Sequence, residues 1–148
     1  MPPSTKTTKE KTMHKNDPNE ITFDELDSID IDDLGKRSKG CYAFYDWFCK
    51  TSSLKRKAER LISVTRKIAS LKSKAFDPKK CYVFFMNNCP SDGPLYDDLR
   101  ICDKKTGKVL INVCPSRHEI WSAENDFNGP VLEASSMKEI YAWFKDHA

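Results

Sequence analysis

Cys114 and His118 stand four residues apart in "CPSRH", and Cys89 lies in the turn-like stretch "NNCPSDG" beside Asp92. A thiol, an imidazole and an orienting carboxylate are the parts of a cysteine nucleophile. The pair Cys114 and His118, approached by Cys89 or Cys102 from neighbouring strands, also has the donor types of a zinc site. Structural zinc, however, usually takes two short-spaced ligand pairs, and this chain offers one. Asp92, Asp97, Asp98 and Asp103 suit a divalent cation, and suit turns and a strand edge equally well. None of the five glycines forms a G-x-x-x-x-G-K phosphate loop. The six cysteines (41, 49, 81, 89, 102 and 114) include no C-x-x-C pair and mostly sit among apolar residues, the setting of buried structural thiols. The expectation is a non-enzymatic protein with no catalytic residue, no metal and no cofactor.

The other chemistry is electrostatic. "SSLKRKAERLISVTRKIASLKSKAF", residues 52–76, carries Lys55, Arg56, Lys57, Arg60, Arg66, Lys67, Lys72 and Lys74 against one acid, Glu59, and Lys79 and Lys80 extend the charge. Residues 1–40 hold 7 basic and 9 acidic residues, 41–80 hold 11 and 3, and 81–148 hold 7 and 10. The net charge of +3 is therefore a basic block between two acidic ones. Like charges at i and i+4, such as Arg56 and Arg60, repel on a helix surface, so a chain that keeps them gains from an anion elsewhere. Phosphates are the obvious anion, gripped without sequence readout by about six cations. Tyr45, Trp47, Tyr82 and Phe84 could stack on exposed bases, their commoner role being core.

The acidic counterpart is "EITFDELDSIDIDDLG", residues 20–35, where seven acids are threaded with Phe23, Leu26, Ile29, Ile31 and Leu34. This alternation reads in two ways: a segment that docks a protein partner, or an arm packed on its own domain. It could also fold over the basic helix and mask it, in which case deleting residues 1–38 tightens nucleic-acid binding.

The elements that must position these groups follow from periodicity. Residues 1–38 form a tail, disordered over 1–19, with the docking segment at 20–34; residues 39–148 form one α+β domain. "GKRSKG" marks the boundary, and "CYAFYDWFCK" reads as an aromatic-rich helix. Leu54, Ala58, Leu61, Val64 or Thr65, Ile68, Leu71 and Ala75 recur at steps of three and four, which predicts a long basic amphipathic helix ending at Asp77 and Pro78. "CYVFFMNN", two strands around "DKKTGK", and "EIWSA" predict a three- to four-stranded antiparallel sheet. Ser136 and Glu139 form a capping box for a C-terminal helix packed on the sheet.

Strand, "TGKVLINV", strand and capped helix are faintly similar to single-stranded DNA-binding transcription coactivators of the PC-four type, over the last third of the chain. Residues 81–148 depart from that pattern in being net acidic. The order helix, three strands, helix is shared with double-stranded RNA-binding domains, but "SSMKEI" has only Lys138 where they have a basic signature. These likenesses assign no family. With no apolar run long enough for a membrane span and no secretory h-region, the expectation is an intracellular regulator or accessory protein. It would bind nucleic acid through the basic helix and a protein through the acidic segment. The alternative is an assembly or inhibitor component whose basic helix contacts an acidic subunit.

Overall fold

The computed structural model describes residues 20–30, 32–33, 52–88 and 96–147. Six antiparallel strands form one meander in chain order: β1 (Ile21–Thr22), β2 (Cys81–Asn88), β3 (Tyr96–Asp103), β4 (Val109–Cys114), β5 (Glu119–Ser122) and β6 (Leu132–Glu133). Among the described residues two helices accompany the sheet, α1 (Ser52–Ser70) and α2 (Met137–Asp146). The class is α+β, and four strands and both helices answer the periodicity of the sequence. The sheet is wider than expected because two-residue strands close its edges, β1 on β2 and β6 on β5. Two residues cannot display a period of two.

Alternation along the strands sorts the sheet into two faces. Val83 and Phe85 of β2, Leu99 and Ile101 of β3, Ile111 and Val113 of β4, and Ile120 of β5 point to the helices. They are nearly inaccessible and meet Leu61 and Ile68 of α1 and Ile140 and Phe144 of α2. Burying each of these side chains contributes about 1.5–3 kcal/mol. Thr65 is the polar member of the α1 stripe, and its buried hydroxyl donates to the Leu61 carbonyl at 2.7 Å.

α1 stops at Ser70, short of the Asp77–Pro78 end that its stripe suggested. Leu71 and Ala75 continue the spacing and stay partly buried against the core, but Lys72 between them has nothing to bury. Leu71 N–H instead donates to the Ile68 carbonyl at 3.1 Å, and Lys72 adopts the left-handed region at φ 54°. Lys72 and Lys74 are consequently exposed on a turn and not on the helix. The turn lets Phe76 enter the core, and Asp77 caps a short 3₁₀ turn at Pro78–Lys80 by accepting from Lys79 N–H at 3.0 Å.

The acidic segment packs on its own domain, the second of its two readings. Ile21, Leu26 and Ile29 are buried with the core, and a capping box between Thr22 and Glu25 turns the chain after β1. Leu26 and Ile29 are therefore occupied by the chain itself. Phe23 stacks near Phe76 at 5.3 Å between ring centroids, while Ile31 and Leu34 lie outside the described residues. The boundary motif at 35–40, the aromatic stretch at 41–50 and Cys41, Cys49, Cys89 and Asp92 also lie outside them.

The capping box of α2 is shifted by one residue. Ser136 is fully extended and makes no side-chain cap, and Glu139 Oε2 chiefly accepts from Ser135, its N–H at 2.8 Å and its Oγ at 2.5 Å. In the β3–β4 hairpin, Asp103 Oδ2 likewise accepts from Thr106 N–H at 2.9 Å and Thr106 Oγ1 at 3.0 Å, and Gly107 supplies the positive φ that closes the turn. These hydrogen bonds hold both carboxyls below their usual range. A folded pKa below the unfolded one adds stability above the unfolded value and loses it as pH falls through the folded one. An Asp103→Asn, Glu139→Gln double variant is thus expected to be less stable than wild type near neutrality. It should lose less between about pH 5 and pH 3, as read from urea midpoints against pH.

Candidate functional site

The basic residues of α1 divide by what they touch. Lys55 and Arg56 are exposed. Arg60 Nη2 donates to the Pro115 carbonyl at 3.1 Å, tying α1 to the end of β4. Arg66 donates to the carbonyls of Leu26 and Ile29, at 2.7 and 2.8 Å, and so fastens the acidic arm through its backbone. Lys67 Nζ sits 5.9 Å from the ring centroid of Tyr141 on α2. Several members of the expected polyanion stripe are thus already used in holding the fold, and Lys57 has a partner as well.

The remaining cations gather elsewhere. The Pro78–Lys80 turn and the β3–β4 hairpin meet at one end of the sheet, where Lys104 N–H donates to the Lys80 carbonyl at 2.9 Å and Lys104 Nζ to the Lys79 carbonyl at 3.1 Å. Lys79, Lys80, Lys105 and Lys108 are exposed around this junction. Only Lys79 and Lys80 of this group were legible as an extension of the basic block. Lys105 and Lys108 come from the net-acidic third of the chain and join them through the hairpin.

That lysine-rich end opens onto the face of the sheet turned away from the helices. The strand registers Phe84↔Arg100, Arg100↔Asn112 and Asn112↔Trp121 set these four side chains in a row across β2, β3, β4 and β5. Each is half-buried. Around the row lies an open groove of about 700 Å³ lined by Arg100, Lys108, Val109, Asn112, Trp121 and Phe127, with Ala123 and Asp126 at its rim. A β-bulge shapes it: between Ile101 and Cys102 the register jumps from Ile111 to Val109 and leaves Leu110 unpaired, so Val109 and Lys108 are turned toward the groove.

Three features mark the groove. Trp121 is oriented by its indole N–H, which donates to Glu119 Oε1 at 3.2 Å. Asn112 Oδ1 is buried without a hydrogen-bond partner, a costly state for a polar atom unless a ligand or water supplies the donor. Phe127 holds φ 58°, directly after Asp126 at φ 58°, a conformation that bulky side chains rarely adopt. Its N–H donates to the Ser122 carbonyl at 3.1 Å, which holds the backbone of this turn beside the groove that Phe127 lines.

The cysteine chemistry is not assembled among the described residues. Cys81, Cys102 and Cys114 are free and buried. Burial pushes all three thiols up, Cys102 to about 11, away from the thiolate that a nucleophile or a metal ligand needs. Cys114 Sγ contacts Ser116 Oγ at 3.5 Å, and His118 lies in the β4–β5 turn at φ 54°. Cys102 and Cys114 share a face but stand at opposite ends of the β3–β4 pair. No group of three or more His, Cys, Asp or Glu side chains among the described residues is placed to hold a metal ion. Among them, too, no helix is long and apolar enough to cross a membrane.

Sequence reasoning missed Arg100, Asn112, Trp121 and Phe127. The available signal was alternation: Arg100 between Leu99 and Ile101, Asn112 between Ile111 and Val113, and Trp121 after Ile120 each take the outward position beside core-facing residues. Comparison with protein-family models, with curated proteins and with solved structures gave no match.

Proposed function

We propose that this chain is a non-catalytic binding protein for single-stranded nucleic acid, with the groove on the open sheet face as its site. The observation that carries the reading is the row Phe84, Arg100, Asn112 and Trp121 across four strands, continuous with the lysines of the hairpin end. Each part has a role in such binding. Trp121 and Phe127 offer π-faces for unpaired bases, Arg100 a guanidinium plane, and Asn112 Oδ1 an acceptor for a base N–H. Lys79, Lys80, Lys105 and Lys108 track the phosphates leaving the groove. Lys55 and Arg56 belong to α1, on the other side of the sheet, so in this reading they are accessory to the site and do not form it.

Fluorescence anisotropy with a labelled single-stranded oligonucleotide tests the reading. The wild type should bind at low salt, weaken steeply as salt rises, and prefer the single strand over the duplex. Trp121→Ala should weaken binding by about 5- to 150-fold, the range for loss of one base-stacking platform, with the melting transition preserved. Absence of binding at low salt, or equal affinity of wild type and Trp121→Ala, would overturn it. Retention of a protein partner in nuclease-treated lysate, lost in Trp121→Ala, would favour the assembly-component alternative.

A further inference from the structure

A second surface lies between the helices. Lys138, Tyr141, Ala142 and Lys145 recur at steps of three and four on α2, and Lys67 and Leu71 face them from the end of α1. Together they line an open groove of about 510 Å³. Its apolar lining is half-buried Leu71 and Tyr141 with exposed Ala142, and three lysines stand around them. Lys67 is held above the Tyr141 ring, while Lys138 and Lys145 are exposed one at each end of the α2 stripe. Glu139, beside Lys138 on that helix turn, directs its carboxylate to Ser135.

We propose that this groove docks an acidic amphipathic helix of a protein partner. Lys138 and Lys145 are seven residues apart, about 10 Å along the axis, which matches two turns of a helix presenting apolar anchors at i, i+3 or i+4, and i+7. The apolar lining takes the anchors and the three lysines take flanking carboxylates. Leu71 and Ala142 are aliphatic and lie beside the Tyr141 ring, a lining suited to the apolar side chains of a peptide. The chain itself supplies a precedent, because α1 already receives an acidic and apolar segment: Leu26 and Ile29 bury their side chains while Arg66 takes their carbonyls.

The test uses the full chain and three labelled probes: an amphipathic helical peptide of about eighteen residues with Leu and Phe on one stripe and Glu beside it, a scrambled peptide of the same composition, and a single-stranded oligonucleotide. The amphipathic peptide should bind and the scramble should not. Lys138→Gln with Lys145→Gln should weaken the peptide by about 3- to 10-fold, and Ala142→Arg, which fills the groove, should abolish it. Both variants should leave oligonucleotide binding unchanged, whereas Trp121→Ala should do the reverse, so the two sites fail independently. Equal binding of the scramble, unchanged peptide affinity in both variants, or loss of oligonucleotide in place of peptide would overturn the proposal.

Discussion

Replacing Phe76 by alanine is expected to destabilise the fold by about 3–5 kcal/mol. Phe76 is the middle of an aromatic chain. Its ring lies 5.3 Å from Phe23 in the N-terminal arm and 6.1 Å, edge to face, from Phe144 of α2, and Phe144 in turn meets Trp143 at 5.0 Å. One side chain thus joins the arm, the turn after α1 and the C-terminal helix. Its loss leaves a cavity that none of the three can fill alone, and each aromatic pair adds about 0.5–1.5 kcal/mol beyond buried area. Domains of this size have about 5–15 kcal/mol in all, so the variant should unfold at much lower urea. A change under about 1 kcal/mol would contradict the central placement of this ring.

Removing residues 1–38 is expected to abolish the cooperative fold. The truncation takes three buried aliphatics, Ile21, Leu26 and Ile29, each worth about 2–5 kcal/mol when cut back to alanine. It also strips β1 from β2, where Ile21 pairs with Val83 and Thr22 with Tyr82, and leaves that edge free to pair with another chain. Size-exclusion chromatography should show aggregates and thermal melts should lose their transition. A monodisperse truncated chain with a sharp melt would show the arm to be dispensable. The consequence for masking is direct: the deletion expected from sequence to expose the basic helix would report on folding instead.

What was legible in the sequence follows from how locally each feature is encoded. The four long strands and α2 carry their period within themselves, and "DKKTGK" carries its own turn in Thr106 and Gly107. The end of α1 was misplaced because Leu71 and Ala75 continue the spacing, although Lys72 breaks the stripe between them. β1 and β6 exist only as partners of longer strands, and no two-residue window can announce that. The site suffers from the same limit more severely. Arg100, Asn112 and Trp121 are neighbours only once three registers are fixed, and the bulge at Leu110 that presents Val109 and Lys108 is invisible in a string. The charge block at 52–80, by contrast, was plain to see. Yet Arg60 and Arg66 use their guanidiniums on carbonyls of the fold, because a cation beside an unsatisfied backbone acceptor is a good hydrogen-bond donor whatever else it might bind.

The meander also sets an order in time. Strands β2 to β5 pair with sequence neighbours through short connections and can zip by hairpins, whereas pairing Ile21 with Val83 must close a loop of some sixty residues with α1 inside it. Local pairings are expected early and the long closure late, which the refolding and unfolding rates of an Ile21→Val variant would check. The arm is therefore a latch set after the sheet exists: substitutions at Ile21 should act mainly on how fast the molecule comes apart and hardly on how fast it assembles. On that order, the lifetime of the folded state would be set in part by the two residues of β1 and the pair of carbonyls that Arg66 holds.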